Sequence, residues 1–306
     1  MSDQRRRRFL LQTGAAMTVS LGGCGPKSET RPLSMAEAAY ALSDFKEFNH
    51  KHGGVDYEVY ASRNVGPAVI VMHELNGMNK GVVEFAKVLI KNGYKVYLPL
   101  FFGKVGVKSN GTRNIFRICI RRQMNLFSKG QPSTLTDWLR SLCRYAHSEA
   151  GGAGVGVLGM CLTGGFVIPM MIDESVIAAV AAQPSLPLLR KHQIDSDQET
   201  LELAANNKQG APLLSIRYSE DRISTFGKHE RLAHAFCGTP LPALPDWQDK
   251  VPGSENSRSL ECEGYKLLEL KGRGHSTLTT VYENRKDLLE LAEQSVLEFF
   301  NSHLSG

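Results

Sequence analysis

The feature that most constrains the fold of this chain is a series of short, unbroken apolar runs separated by stretches of helical spacing. Runs such as Ala68–Met72 (AVIVM) and Val176–Ala182 (VIAAVAA) contain no alternating polar residue, which is typical of strands covered on both faces. Gly81–Asn92 has helical spacing and stops at an Asn-Gly pair, a common C-cap. Strands that alternate with helices predict an α/β protein with a mostly parallel central sheet and helices on both faces.

The same patterns predict further elements along the chain. The other predicted strands are Val55–Ala61 at an edge, Tyr94–Leu98, Gly154–Leu158, Pro212–Tyr218 and Tyr265–Leu270. The other predicted helices are Pro132–His147, Gly164–Ile172, Arg222–Phe236 and Asn284–Phe300. Residues 185–210 are expected to form a helical excursion to which the sequence assigns no chemistry.

Residues 1–23 have the pattern of an export signal. Four arginines at positions 5–8 precede a short apolar run that gives way to small residues, and the run is too short for a stable membrane span. Residues 6–10 (RRRFL) resemble a twin-arginine signal. The protein is therefore expected to be exported to the periplasm or the cell envelope.

Residues 21–24 (LGGC) resemble a bacterial lipobox, so Cys24 is expected to be lipidated and to tether the protein to a membrane. The alternative is that Cys24 only lies near a conventional cleavage site. Residues 24–35 are polar and contain proline, as expected of a tether. Residues 36–306 are then the folded domain.

Charge and cysteine spacing exclude two classes of partner. The formal net charge is +5, and it falls to +2 without residues 1–23, so no clustered basic surface for nucleic acid is expected. No two of the six cysteines have C-x-x-C spacing, so no metal site is expected. Apart from Cys24 and Cys161, the cysteines are expected to be small buried hydrophobic residues; these are Cys119, Cys143, Cys237 and Cys262.

A candidate nucleophile follows the predicted strand GVGVL directly. Residues 159–165 read GMCLTGG, and a strand, a sharp turn and a helix in succession form a nucleophile elbow. The central residue, Cys161, would lie at a helix N-terminus, where amide N–H groups and the helix dipole favour a thiolate. The N–H of Leu162 could hold an oxyanion. The alternative is a buried cysteine in a glycine-rich turn.

A nucleophile needs a base and a group that orients the base. His275 lies in the loop KGRGHS, after the last predicted strand, which fits the chain order nucleophile, acid, histidine. The alternative is a loop histidine in a glycine-rich turn. Asp221 follows the preceding strand and is the predicted acid, with Glu220 as the alternative. Asp221 could also simply cap the next helix.

The other histidines are weaker candidates for the base. His73 follows a predicted strand and is expected to line the site, whereas His147 ends a helix. The remaining six lie in polar or helical surroundings and are expected to be solvated; they are His50, His52, His192, His229, His234 and His303.

Together these residues resemble the dienelactone hydrolase family of α/β-hydrolases over roughly residues 55–300. The elbow resembles the family's G-x-C-x-G-G, and residues 71–77 (VMHELNG) resemble its strand-end motif, with Glu74 ahead of a glycine. The resemblance implies the α/β-hydrolase fold, a Cys161–Asp221–His275 triad and no cofactor or metal. It also implies that Glu74 contacts the resting cysteine and that the N–H of Leu75 is the second oxyanion donor. The alternative for Glu74 is a structural carboxylate, satisfied by hydrogen bonds at the end of a strand.

The sequence departs from the family pattern at two positions. Thr163 precedes the paired glycines of the elbow, a change expected to be tolerated. Thr279 stands four residues after His275, where family members that cleave dienelactone carry an arginine for the substrate carboxylate. Dienelactone is therefore not the expected substrate, unless a nearby basic residue substitutes; the candidates are Lys104, Lys108, Arg113 and Arg273.

The expected function is hydrolysis of a small-molecule ester, lactone or thioester through an acyl-cysteine intermediate. One alternative is a non-catalytic α/β-hydrolase fold that binds a ligand, since the fold alone does not fix a function. The other is a redox-sensing protein, favoured if Cys161 lies within disulfide reach of another cysteine.

Overall fold

The computed structural model describes residues 42–106, 134–187, 192–207, 210–238 and 255–304. The predicted export signal and tether, with Cys24, lie outside the described residues. Cys119, Lys108 and Arg113 also lie outside them.

The described residues form one nine-stranded mixed sheet with the strand order β1-β2-β4-β3-β5-β6-β7-β9-β8. Strands β3 to β7 and β9 pair in parallel with one another, and the antiparallel pairs β1–β2, β2–β4 and β8–β9 lie toward the two edges. The strands are β1 (Phe45–His52), β2 (Val55–Ser62), β3 (Ala68–Met72), β4 (Lys95–Pro99), β5 (Val155–Met160), β6 (Val176–Ala182), β7 (Leu213–Tyr218), β8 (Ser257–Cys262) and β9 (Tyr265–Leu270).

Helices cover both faces of this sheet. Within the described residues they are α1 (Lys80–Lys91), α2 (Thr134–Ala150), α3 (Val167–Met170), α4 (Gln198–Ala205), α5 (Phe226–Cys237) and α6 (Lys286–Leu304). A short 3-10 turn, Cys161–Gly165, lies between β5 and α3. None of the described helices is both long and apolar enough to cross a membrane.

The central strands are buried on both faces because their alternate side chains enter two separate cores. In β3, Ile70 and Met72 pack in the same core cluster as Trp138 of α2. Val69 and Val71 pack in a second cluster with Phe85 of α1. Helices α2 to α5 cover the first core, and α1 and α6 cover the second. The predicted α/β-hydrolase architecture is confirmed.

Several predicted elements differ from the structure in their position or extent. The strand predicted at an edge is β2, but β1 pairs with its outer side and forms the edge, and most residues of β1 are exposed. The helix predicted at Gly164–Ile172 is a 3-10 turn followed by the four-residue α3. The helix predicted at Arg222–Phe236 begins at Phe226, after a turn. Residues 185–210 contain α4, as expected of an excursion with helical character.

The cysteine expectation was wrong for one pair. Cys237, at the end of α5, forms a disulfide with Cys262, the last residue of β8, whereas the sequence predicts both to be small buried hydrophobic residues. The two are separated by 25 residues, so only the packing of α5 beside the β8–β9 hairpin brings them together. Cys143 is a buried free thiol, as expected.

Candidate active site

Cys161 lies in a strained turn at the carboxyl end of β5. Its φ is 57°, in the left-handed region that non-glycine residues rarely adopt. The turn is tight enough that a Cβ at Gly159 would lie 2.2 Å from the carbonyl oxygen of Thr163. Glycine is therefore required at position 159, and the turn presents a partly exposed Cys161 at the edge where sites of parallel sheets lie.

Thr163 fastens this elbow to the neighbouring strand. Its hydroxyl accepts a hydrogen bond from the N–H of Met160 at 2.9 Å. It lies within donating distance of the carbonyl oxygens of Met72 (3.0 Å), Met160 (3.0 Å) and His73 (3.2 Å). Thr163 is fully buried. The residue that departs from the family pattern thus joins the end of β5 to the end of β3.

His275 and Asp221 meet across the loops that follow β9 and β7. The Nδ1 of His275 lies 2.7 Å from Oδ2 of Asp221. The other carboxylate oxygen of Asp221 accepts the N–H groups of Ile223 at 2.8 Å and Ser224 at 3.0 Å. Asp221 therefore orients the histidine and also caps a turn, whereas the alternative acid, Glu220, is exposed.

The charges of these groups reinforce one another. Burial alone would raise the pKa of Asp221, but His275 and the two turn N–H groups lower it below its usual value. Burial alone would lower the pKa of His275, but Cys161 and Asp221 outweigh burial and raise it well above its usual value. Cys161 and Asp221 together therefore favour the protonated form of His275.

A buried ion pair behind the acid holds the Asp221 loop. Arg217 forms a salt bridge with Glu269, and both side chains are almost fully buried. The Arg217 guanidinium also donates to the carbonyl oxygens of Ser224 (2.9 Å) and Ser219 (3.0 Å), on either side of Asp221. The sequence does not reveal this ion pair, because Arg217 and Glu269 are brought together only by the pairing of β7 with β9.

Glu74 is buried in a cluster of neutral donors. Its carboxylate accepts hydrogen bonds from Thr279 Oγ1 at 2.9 Å, Ser276 Oγ at 2.9 Å and Gln183 Nε2 at 3.1 Å. The Cys161 thiol instead lies 3.6 Å from the hydroxyl of Ser185. The contact between Glu74 and the resting thiol that the family resemblance implies stays a prediction, and the structure adds a link from Glu74 to the loop of His275.

Two other histidines brace the site from inside the fold. The prediction that His73 lines the site is wrong, because His73 is fully buried. Its Nδ1 lies 2.8 Å from the Glu74 carbonyl oxygen, and its Nε2 accepts the Phe101 N–H at 3.1 Å. Burial lowers its pKa to about 4, so it is neutral at neutral pH. The prediction that His229 is solvated is also wrong. His229 is fully buried between the hydroxyls of Ser215 and Ser224.

The other predicted site residues differ in their surroundings. Leu75 follows the end of β3 and Leu162 follows Cys161, and both pack against the same core. Lys104 is exposed and Arg273 is partly buried in the loop of His275. In the described part of the chain, His, Cys, Asp and Glu side chains form no group of three that could hold a metal ion.

Comparison with known proteins identifies the family of the chain. The sequence profile of the dienelactone hydrolase family matches residues 55–242. No curated protein matches the chain by sequence.

Solved structures share the fold at low sequence identity. A dienelactone hydrolase from Anabaena variabilis has a TM-score of 0.55 and 14% identity, over 85% of this chain and 99% of its own. An esterase from Pyrococcus furiosus has a TM-score of 0.55 and 13% identity, over 92% of this chain and 99% of its own. A dienelactone hydrolase-like promiscuous phosphotriesterase from metagenomic libraries has a TM-score of 0.60 and 12% identity, over 85% of this chain and 98% of its own. Because the family profile matches more than half of the chain and the sheet and elbow agree with it, this protein belongs to the dienelactone hydrolase family and is a hydrolase.

Proposed function

We propose that this hydrolase cleaves small-molecule carboxylic esters or lactones through an acyl-cysteine intermediate, with Cys161 as nucleophile, His275 as acid and base, and Asp221 as its orienting acid. The observation that carries the proposal is the 2.7 Å contact between His275 Nδ1 and Asp221 Oδ2, at the sheet edge where the strained elbow presents Cys161. The Pyrococcus furiosus protein of similar fold is named an esterase, which supports the substrate class.

Acylation begins with the Cys161 thiolate, which attacks the carbonyl carbon of the substrate. Electrons move onto the carbonyl oxygen, and in this proposal the N–H groups of Leu75 and Leu162 stabilise the oxyanion. When the tetrahedral intermediate collapses, the bond to the leaving oxygen breaks and that oxygen takes the proton from His275 Nε2. Asp221 keeps the Nδ1 proton in place and fixes the tautomer.

Deacylation follows from the same electrostatics. The anionic sulfur is one cause of the raised pKa of His275, and acylation removes that charge. The pKa of His275 then falls, which makes the neutral imidazole a better base. His275 takes a proton from water as the water attacks the acyl carbon, and the departing thiolate again pairs with the protonated histidine.

The substrate is expected to lack the carboxylate that dienelactone presents. Thr279 stands where dienelactone-cleaving relatives carry an arginine, and its hydroxyl donates to Glu74. A panel of aryl esters, lactones, thioesters and dienelactone should show turnover of simple acyl esters above that of dienelactone. One aryl phosphotriester belongs in the panel because of the phosphotriesterase of similar fold.

Variants of the triad test the mechanism. Cys161→Ala and His275→Ala should each lower kcat by roughly a thousandfold or more, and the double variant should be hardly worse, because residues that act as a unit are not additive. Asp221→Asn should be comparable or milder. Glu220→Gln is the matched control and should leave turnover nearly intact. Full turnover by Cys161→Ala would overturn the proposal.

The two alternatives make different predictions. A non-catalytic binding protein would show no turnover in the substrate panel. The fold does not require the Cys161–Asp221–His275 arrangement, so a binding protein would have no need to keep it. A redox sensor needs a partner for Cys161, and among the described cysteines Cys237 and Cys262 are paired with each other while Cys143 is buried.

A further inference from the structure

A lysine with no role in the proposed chemistry lies buried near the nucleophile. Lys228, on α5, has no exposed surface. Its ammonium nitrogen lies within hydrogen-bonding distance of four backbone carbonyl oxygens: those of Leu186 (2.8 Å), Gln193 (2.9 Å), Ser185 (3.3 Å) and Pro187 (3.3 Å). A buried charge is costly unless it is well compensated, so the arrangement indicates a site built around the cation.

Three of the four carbonyls that surround Lys228 belong to a segment without regular structure. Residues 183–187 follow the end of β6, where sheet pairing no longer supplies hydrogen-bond donors. An ammonium group offers three donors and no acceptor, so it can satisfy several of these carbonyls at once. Lys228 thereby joins Ser185–Pro187 to Gln193, near the start of α4.

This segment is attached to the nucleophile at two points. The N–H of Ser185 donates to the carbonyl oxygen of Cys161 at 3.0 Å. The Ser185 hydroxyl lies 3.6 Å from the Cys161 sulfur, and Ser185 is buried. A path of direct contacts therefore runs from the Lys228 ammonium through Ser185 to the reacting sulfur.

We propose that Lys228 and Ser185 are positioning residues: the Lys228 ammonium fixes the Ser185–Pro187 segment, and the Ser185 hydroxyl holds the Cys161 sulfur in place for attack. The proposal concerns the same site as the hydrolase mechanism and rests on that proposed function for its effect on turnover. Its effect on the reactivity of the thiol can be measured without any substrate.

Charged groups around Lys228 keep it protonated at neutral pH. Asp195, ahead of α4, and Asp221, after β7, both favour the charged form, while His229 is its neutral neighbour on α5. Burial outweighs the two carboxylates and lowers the pKa of Lys228 to about 8. Deprotonation above this value would leave a neutral amine with fewer donors for the carbonyls.

The first experiment compares Lys228→Met, Ser185→Ala and the double variant with the wild type. Iodoacetamide alkylation of Cys161, followed by mass spectrometry, and kcat/KM on an aryl ester are the two readouts. Each single variant should slow both by at least about fivefold, as expected when a reacting group is misplaced. If Lys228 acts through Ser185, the double variant should be no worse than Lys228→Met, because coupled residues are not additive.

Arg140→Met is the matched control. Arg140 is also a cation that donates to a backbone carbonyl, that of Pro169 at 2.9 and 2.7 Å, but Pro169 lies in α3 rather than in the Ser185 segment. This variant should leave alkylation of Cys161 unchanged. Rates within twofold of wild type for folded Lys228→Met, or effects of the two variants that multiply, would overturn the proposal.

Two further outcomes remain informative. If Lys228→Met does not fold, Ser185→Ala decides, and an unchanged alkylation rate in that variant overturns the proposal. If the wild type hydrolyses no ester, the proposed function fails, but the alkylation comparison still tests Lys228 and Ser185.

The pH dependence separates positioning from general stability. The ratio of kcat/KM between wild type and Lys228→Met should shrink from about pH 7 to about pH 10, as the wild type loses the ammonium. Effects of His275 cancel in this ratio. Between its folded-state pKa of about 8 and the usual 10.5, Lys228 binds more protons in the unfolded chain than in the folded protein. The contribution of Lys228 to the free energy of unfolding therefore rises with pH over this range. A ratio that stays constant would contradict the assignment to the charged lysine.

Discussion

Single hydroxyl groups near Cys161 connect parts of the chain that are far apart in sequence. Thr163 bonds the elbow to residues about ninety positions earlier, at the end of β3. Ser276 and Thr279 bond the loop of His275 to Glu74. The relative positions of the proposed nucleophile, base and oxyanion donors thus depend on buried hydrogen bonds as well as on the sheet.

Thr163 gives the first prediction at this scale. Thr163→Val keeps the shape but leaves the buried Met160 N–H without its partner, which should lower the free energy of unfolding by about 1–3 kcal/mol. It should also lower kcat more than it raises KM, because the proposed oxyanion donors at Leu75 and Leu162 would move relative to each other. Thr163→Ser keeps the hydroxyl and should be milder in both respects. Urea unfolding and steady-state kinetics measure the two effects, and equal kcat losses in both variants would contradict the role of the hydroxyl.

Glu74 gives the second prediction. Its carboxylate accepts hydrogen bonds from three side chains, whereas an amide would present two donors to the same cluster. Glu74→Gln should therefore lower the melting temperature and kcat, and leave the pH profile of Cys161 alkylation unchanged. Thr279→Val removes one of the three donors and should give a smaller effect of the same kind. A shifted alkylation profile in Glu74→Gln would instead show that Glu74 manages the resting thiol.

At the scale of secondary structure, the buried strands were predictable and the edges were not. Strands such as β3 and β6 are continuous apolar runs of five and seven residues, and this short length favours a buried strand over a helix. The edge strands β1 (FKEFNHKH) and β8 (SRSLEC) carry polar residues on their exposed face, and short polar alternation does not separate strand from loop. The sequence therefore indicates the centre of the sheet more clearly than its edges.

The site shows the same division. Cys161, Asp221 and His275 each directly follow a strand or lie in the loop after one, so the strand pattern was enough to propose them as site residues. Lys228 and His229 lie within a helical pattern that also fits a solvated surface, and only the packing of α5 reveals that both are buried.

The disulfide between α5 and β8 gives a prediction at this scale. Replacing both Cys237 and Cys262 by serine removes a cross-link across 25 residues, which should lower the free energy of unfolding by about 3 kcal/mol. A reducing agent should lower the melting temperature of the wild type and leave that of the double variant unchanged. If reduction has no effect on the wild type, the disulfide does not form in solution.

At the scale of the whole molecule, two independent features favour a compartment outside the cytosol. A disulfide persists in oxidising environments such as the periplasm and is rare in the cytosol. The first residues carry the pattern of an export signal, with arginines ahead of a short apolar run. We propose that the protein is exported and that the folded domain acts at the cell envelope, where its disulfide can form.

The mature N-terminus tests this proposal. In a bacterium with a twin-arginine pathway, the exported protein should lack residues 1–23, and a lipidated Cys24 should add the mass of a diacylglyceryl group with or without a further acyl chain. Arg6→Lys/Arg7→Lys should retain the charge and still block export, because the pathway reads the arginine pair as an address. Cys24→Ala should release the protein from membranes without affecting the hydrolase domain if lipid is the anchor. Mass spectrometry that finds an intact Met1 or Ser2 on exported protein would contradict cleavage. Membrane association of Cys24→Ala equal to that of the wild type would contradict the lipid anchor but not export.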